Sequence, residues 1–169
     1  WDTTKVNGHI YMMPQHNGPM ITRAVAYRED LRKKYNVPEI KTFEDLEAYY
    51  DAIKANEKGM FPLFATVGDI QNLASAYMWT KGGERCTNLG DCLVIDYDDE
   101  KSRIYPVYES ETYKEWANIA KRWYEKGFWS RDILSNKTLG QTAMLNGTSA
   151  SCCVQLTSTL YTQNELEKN

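Results

Sequence analysis

Residues that catalytic sites depend on are scarce in this sequence of 169 residues. It contains two histidines, His9 and His16, so few side chains are suited to general-base chemistry near neutral pH. It also lacks G-x-S-x-G, H-E-x-x-H, a glycine-rich phosphate loop and a dinucleotide-binding fingerprint. We therefore expect no catalytic residue, no enzymatic activity and no cofactor.

A pattern of metal ligands is also missing. The four cysteines and two histidines do not form closely spaced pairs, so we expect no metal site. Cys86 and Cys92 lie six positions apart in a polar stretch and can close a small disulfide if the backbone permits it. Cys152 and Cys153 are adjacent in an apolar run, which predicts two free thiols on opposite faces of a strand.

Neither an excess of positive charge nor a long apolar run is present. The net charge of −3 gives no general attraction to nucleic acid or anionic lipid. No apolar run approaches the ~20 residues that span a bilayer. The 42% hydrophobic share, with 12% aromatic residues, predicts a folded globular domain. Because the chain starts at Trp1 and shows no signal peptide, we expect a piece of a longer protein.

Strand and helix patterns alternate along the chain. Strand-like runs occupy residues 6–13, 20–27, 60–66, 93–97, 103–108 and 150–156. Helical patterns occupy residues 28–35, the run that follows Thr42, residues 73–79, the run around 113–124 and a last segment capped by Thr157 or Ser158. This order predicts an α/β fold with a mixed, mostly parallel sheet flanked by helices.

Two helices have the clearest local signals. Thr42 followed by Asp45 is typical of a capping box at a helix start, and Gly59 predicts where that run ends. On the later helix, Trp116 and Trp123 share an apolar stripe, so we expect both in the core.

The five tryptophans and twelve tyrosines also fit a carbohydrate site, where rings stack on sugar faces and amides bind hydroxyls. Trp1, Trp79 and Trp129 lie outside the helical stripe or at the ends of elements, so they are candidates for such contacts. Two other kinds of protein remain open at this point. One is a carbohydrate-active enzyme, which needs a pair of converging carboxylates. The other is a lectin-like binding module.

Six short motifs, in order along nearly the whole chain, give a family resemblance. The motifs are WDTTKVNGHIYMMP at 1–14, AYREDL at 26–31, KTFEDL at 41–46, WTKGG at 79–83, RWYEKG at 122–127 and LNGTSA at 145–150. Together they resemble the extracellular solute-binding proteins of bacterial ABC importers, in particular the group that contains maltodextrin- and oligosaccharide-binding proteins and its lipoprotein branch.

The resemblance implies a two-lobe protein that closes on a solute without chemistry. It implies that residues 1–14 are the strand that crosses from the first lobe, and that residues 15–169 are an incomplete second lobe of the periplasmic-binding-protein type (type II). The solute would be a sugar or oligosaccharide, and the partner would be the permease of an ABC transporter. The protein would lie in the periplasm or on the outer face of the cell membrane, held by a lipid anchor outside this chain.

The resemblance also implies where the solute binds, namely at the carboxyl ends of the second lobe's strands. The residues that it places there are Gln15, His16, Thr66, Asp69, Gln155 and Thr157. Family members often carry an aromatic residue at the position of Thr157, so stacking would come from Trp129 or from the missing lobe. Asp69 and Thr157 are equally suited to capping helices, and Gln15 and Gln155 to solvated loops.

Overall fold

The described part of the chain contains five α-helices and seven short strands. A computed structural model describes residues 5–10, 23–81, 86–88, 93–96 and 104–155. The strands are β1 (Lys5–Val6), β2 (His9–Ile10), β3 (Arg23–Tyr27), β4 (Cys86–Asn88), β5 (Leu93–Asp96), β6 (Ile104–Pro106) and β7 (Ser151–Gln155). The helices are α1 (Glu29–Lys34), α2 (Phe43–Asn56), α3 (Val67–Thr80), α4 (Glu111–Glu125) and α5 (Gly140–Leu145), with a 3₁₀ turn at Val107–Glu109.

Helix α2 starts as the sequence predicts. The Thr42 side chain accepts a hydrogen bond from Asp45 N, and the Asp45 carboxylate accepts one from Thr42 N, which completes the capping box. The helix ends at Asn56, and Gly59 follows with φ +86°, a left-handed conformation that favours glycine. The predicted start and stop signals are therefore confirmed.

The pairing of the strands corrects the expected mostly parallel sheet. Every named ladder in the described residues is antiparallel: β1 with β2, β3 with β7, and the order β4-β5-β6. The predicted strand at 60–66 is reduced to a parallel bridge between Phe61 and Ser149. The next bond of this ladder would come from Leu63 N, which donates instead to Phe128 O at 3.0 Å, so a longer ladder does not form there.

Several predicted boundaries also shift. Asn7 (φ +52°) and Gly8 (φ +80°) form the two-residue turn that an Asn-Gly pair indicates, and residues 5–10 make a hairpin around it, so the strand-like run at 6–13 is interrupted there. Helix α3 begins at Val67, six residues before the predicted start. Helix α5 was not predicted, and Cys86 lies in β4 where a loop was expected. Cys92 and the predicted last helix lie outside the described residues.

An aromatic core joins α2, α3 and α4. Trp123, Tyr50 and Phe128 are fully buried, with Trp123 and Tyr50 packed edge to face at 5.2 Å. Trp116 is 2% exposed and contacts Trp123 edge to face at 5.9 Å. The expectation that both helix tryptophans belong to the core is confirmed.

The β3–β7 pair separates that aromatic core from a smaller one. Cys153 packs with the aromatic core, whereas Cys152 lies on the other face with Met144 of α5. Neither cysteine forms a disulfide, as predicted, and burial raises the pKa of Cys152 to about 12. Gly140, the first residue of α5, lies against β7 so closely that a Cβ there would be 2.7 Å from Cys152 Cβ and 2.8 Å from Phe64 O. The start of α5 therefore packs directly against β7 and against the segment that contains Phe64.

Candidate functional site

The turn that leads into α3 follows the segment in which Phe61 bridges to Ser149, two residues before β7. Thr66 N and Thr66 Oγ1 both donate to Asp69 Oδ2, at 2.7 and 2.8 Å. Asp69 N donates back to Thr66 Oγ1 at 3.3 Å. These reciprocal bonds cap the helix, because they satisfy backbone donors that the first turn leaves without partners.

The end of β7 lies beside this turn. The Cys153 thiol is 3.8 Å from the backbone oxygen of Asp69. Gln155 is the last residue of β7, two positions further along the strand, which corresponds to ~7 Å. Asp69 therefore lies beside Cys153, and β7 ends two residues later at Gln155; we call this side of the fold, with Thr66, Asp69 and the end of β7, the carboxyl edge.

Asn136 contributes to the same edge and was not predicted from the sequence. Its Nδ2 donates to Ala65 O at 3.1 Å, and its Oδ1 accepts from Thr138 N at 3.0 Å. The side chain thus fastens a loop to the residue that precedes Thr66. Since 71 positions separate Asn136 from Ala65, no local pattern in the sequence signals this contact.

Trp129 lies in the aromatic core and not at the carboxyl edge. Its side chain is 5% exposed and packs edge to face on Trp123, with ring centroids 6.0 Å apart. A sugar could stack on it only after the core had opened. The remaining predicted positions, Gln15, His16 and Thr157, lie outside the described residues.

A groove of about 480 Å³ lies between β3, β7, the start of α2 and the later half of α3, and Cys153 lines it as well. Its lining is mostly apolar and includes Val25, Phe43, Leu73, Ala76 and Tyr77. Polar and charged side chains line it as well, namely Lys41, Thr42, Glu44, Asn72, Thr80 and Lys81. The groove therefore combines apolar surface with hydrogen-bonding groups.

The most strongly perturbed carboxylate on the surface belongs to the packing of α2 on α4. Glu47 accepts hydrogen bonds from Arg122 (2.6 Å), Lys126 (2.8 Å) and Trp123 Nε1 (2.9 Å). The Arg122 contact and these further donors lower the pKa of Glu47 to about 2. Among the residues that the structure describes, no three Asp, Glu, His or Cys side chains gather as metal ligands.

The fold resembles that of one part of known solute-binding proteins. No protein-family model matches the sequence, and no curated protein is similar to it in sequence. Solved structures do match in fold, and they include solute-binding proteins of bacteria. None of the helices in the described part of the chain has the length and hydropathy of a membrane span.

Three of these structures show the extent of the likeness. The N-glycan transport solute-binding protein NgtS of Streptococcus pneumoniae, in complex with Man5GlcNAc, is 19% identical, with a TM-score of 0.66 over 92% of this chain and 32% of its own. A periplasmic solute-binding protein of Pectobacterium atrosepticum is 20% identical, with a TM-score of 0.61 over 97% and 39%. A sugar transporter protein of Bacillus licheniformis, in complex with stachyose, is 19% identical, with a TM-score of 0.55 over 90% and 38%. The chain therefore spans about a third of the length of the solute-binding proteins that it matches.

Proposed function

We propose that this chain is part of a protein that captures a sugar or oligosaccharide outside the cell for uptake by an ABC transporter. The observation that carries the proposal is the shared fold, because structures with that fold include complexes with Man5GlcNAc and with stachyose. The protein would bind its solute without chemistry and would deliver it to the permease subunits of the transporter.

In this proposal the chain supplies one wall of the binding cleft. Residues 1–14 cross from a first lobe, and residues 15–169 form most of a second lobe of the type II arrangement. The solute lies between the lobes, and the two lobes close around it by a hinge motion. The protein lies in the periplasm or on the outer face of the membrane, where a lipid anchor outside this chain holds it.

The carboxyl edge is the part of the second lobe that we propose contacts the solute. Asp69 carries the strongest hydrogen-bond acceptor there, and carboxylates bind sugar hydroxyls through charge-assisted bonds. Thr66 and Gln155 lie at the same edge, and Gln15, His16 and Thr157 are proposed to complete it. Trp129 is proposed to stack on the sugar only in a state in which the aromatic core has opened.

Calorimetry on the full-length protein and on the 169-residue chain tests the proposal. The probes are maltotriose, stachyose and Man5GlcNAc, each titrated into both proteins. We expect the full-length protein to bind at least one of them and the 169-residue chain to bind none, since half of a cleft lacks the opposing contacts. Equal affinity in both proteins would identify a lectin-like module, and conversion of a probe to products would identify an enzyme.

Substitution of Asp69 locates the site within the full-length protein. Asp69→Asn keeps an oxygen that can cap α3 but removes the charge, so affinity should fall about tenfold or more while the melting temperature changes little. Asp51→Asn is the matched control, because Asp51 is an exposed carboxylate on α2 that pairs with Lys126. If both variants keep the original affinity, Asp69 does not contact the solute.

A further inference from the structure

Two Asn-Gly pairs in the described part of the chain lie in turns of different construction. Asn7 and Gly8 form the tip of the β1–β2 hairpin, whereas Asn146 and Gly147 directly follow α5. All four residues are exposed, and both glycines have a positive φ, of +80° and +72°. The two pairs therefore match in sequence and in exposure, and they differ in the hydrogen bonding of the glycine N–H.

That N–H matters because an asparagine followed by glycine can react with its own backbone. The glycine N loses its proton and forms a bond to the asparagine Cγ, while the Cγ–Nδ2 bond breaks and ammonia leaves. Water then opens the succinimide ring. Hydrolysis of the bond from the ring N to Cγ gives aspartate, and hydrolysis of the bond from that N to the main-chain carbonyl carbon gives isoaspartate. Ring closure is fast where the N and Cγ can approach each other without first breaking other bonds.

The glycine N–H that follows Asn146 is held in a hydrogen bond. Gly147 N donates to Met144 O at 3.0 Å, and Thr148 N donates to Ala143 O at 2.9 Å. These two bonds form a Schellman motif, which closes the carboxyl end of α5. The Thr148 hydroxyl adds a bond of 3.0 Å to Ala143 O. Gly147 N can therefore attack Asn146 only after the end of the helix has opened.

The hairpin leaves the corresponding N–H of Gly8 outside its ladder. Strands β1 and β2 pair Val6 with His9 across the turn. A two-residue turn is closed by bonds between these flanking residues and not by its own two residues. A Cβ at Gly8 would meet no atom within 4 Å, so the backbone there is not crowded. Gly8 N can therefore approach the Asn7 side chain without opening any secondary structure.

We propose that Asn7 is a site of spontaneous deamidation through a succinimide, and that the end of α5 protects Asn146 from the same reaction. Either product carries one more negative charge than asparagine. In isoaspartate the backbone also runs through Cγ, which lengthens the turn by one atom. Because turn length fixes the register of a hairpin, β1 and β2 must then shift or separate. This proposal goes beyond the proposed function, because it depends only on the hairpin and on α5.

Peptide mapping by mass spectrometry tests the proposal on the full-length protein. The protein is incubated at pH 8 and 37 °C, once folded and once in urea, and fragment ions locate each deamidated residue. Fragment ions are needed because a third pair, Asn17 and Gly18, shares the tryptic peptide 6–23 with Asn7. In the folded protein, we expect Asn7 to deamidate at least about tenfold faster than Asn146, with isoaspartate among the products. In urea, which removes both turns, the two rates should agree within about threefold.

A proline substitution tests whether the end of α5 provides the protection. Leu145→Pro removes a helical N–H and disfavours the helical conformation of Met144, so the bond from Gly147 N to Met144 O should be lost. Deamidation of Asn146 in the folded variant should then accelerate at least about fivefold. The rate at Asn7 should not change, so it serves as the internal control.

Four results would contradict the proposal. Equal rates at Asn7 and Asn146 in the folded protein would show that the two turns do not differ in reactivity. A difference that persists in urea would trace the rates to neighbouring residues in the sequence. Deamidation of Asn7 without isoaspartate would exclude the succinimide, and an unchanged Asn146 rate in Leu145→Pro would exclude protection by α5. Should that variant fail to fold, the comparison of folded and urea-treated unsubstituted protein still decides the matter.

Discussion

Replacing Gly140 with alanine should destabilise the fold, although alanine is the better helix former. The added Cβ would lie 2.7 Å from Cys152 Cβ and 2.8 Å from Phe64 O. Cβ atoms do not approach other atoms that closely, and neither neighbour is the end of a flexible side chain. Helix α5 must therefore move away from β7, or the segment that contains Phe64 must shift.

The expected size of the effect follows from two opposing contributions. Overpacking a well-packed interior costs about 1–3 kcal/mol. Alanine recovers up to about 1 kcal/mol of helix propensity, and less at the first residue of a helix. The net loss is about 1–2 kcal/mol, which at about 2–4 °C per kcal/mol lowers the melting temperature by roughly 2–8 °C.

Urea unfolding followed by tryptophan fluorescence measures this loss in the 169-residue chain. Gly68→Ala is the matched control, because Gly68 is also at the start of a helix and its added Cβ would meet only Thr66 Oγ1, at 3.7 Å. The control should be as stable as the original or more stable by up to about 1 kcal/mol. A Gly140→Ala protein with an unchanged urea midpoint would refute the close packing of α5 on β7.

Three further predictions concern buried and paired groups. Because its ion pairs lower the pKa of Glu47 to about 2, they stabilise the fold above pH ~4.5, and this contribution is lost as the pH falls toward 2. Glu47→Gln should therefore cost about 1–2 kcal/mol at pH 7, after allowance for the exposure of its partners, and should flatten the pH dependence of urea unfolding in that range. Tyr50→Phe removes a buried hydrogen bond of 3.0 Å to Ser151 Oγ, so the urea midpoint should fall by the equivalent of about 1 kcal/mol. Mass spectrometry after iodoacetamide treatment at pH 8 should show slower labelling of Cys152 than of Cys153, and equal rates would contradict the burial of Cys152.

Features encoded within a few residues were predictable from the sequence. The capping box of Thr42 and Asp45 involves positions three apart, so the pattern of side chains is enough to place the start of α2. The alternation of Cys152 and Cys153 follows from strand geometry alone. The end of α4 is a third such feature. Gly127 directly follows the helical run and has a φ of +70°, the left-handed conformation with which helices often end.

Features that depend on distant contacts were not predictable in this way. The bridge of Phe61 to Ser149 and the bond from Asn136 to Ala65 join positions far apart in the chain. Trp129 illustrates the same difficulty, because its position at the end of an element indicates exposure. In the structure the Trp129 ring packs on Trp123 and is therefore part of the core. Helix α5 is short, and it is positioned by its contact with β7 more than by its own sequence.

The two roles open to Asp69, helix capping and solute binding, are compatible in this structure. Both bonds from Thr66 are made to Oδ2, so Oδ1 is the atom of that carboxylate that a sugar hydroxyl would reach. Thr66 differs, because its single hydroxyl both donates to Asp69 and accepts from Asp69 N. A solute that hydrogen bonds to Thr66 must compete with the cap, whereas one that binds Asp69 can leave the cap intact. The cap would then fix the orientation of the carboxylate before the solute arrives, which lowers the entropic cost of binding.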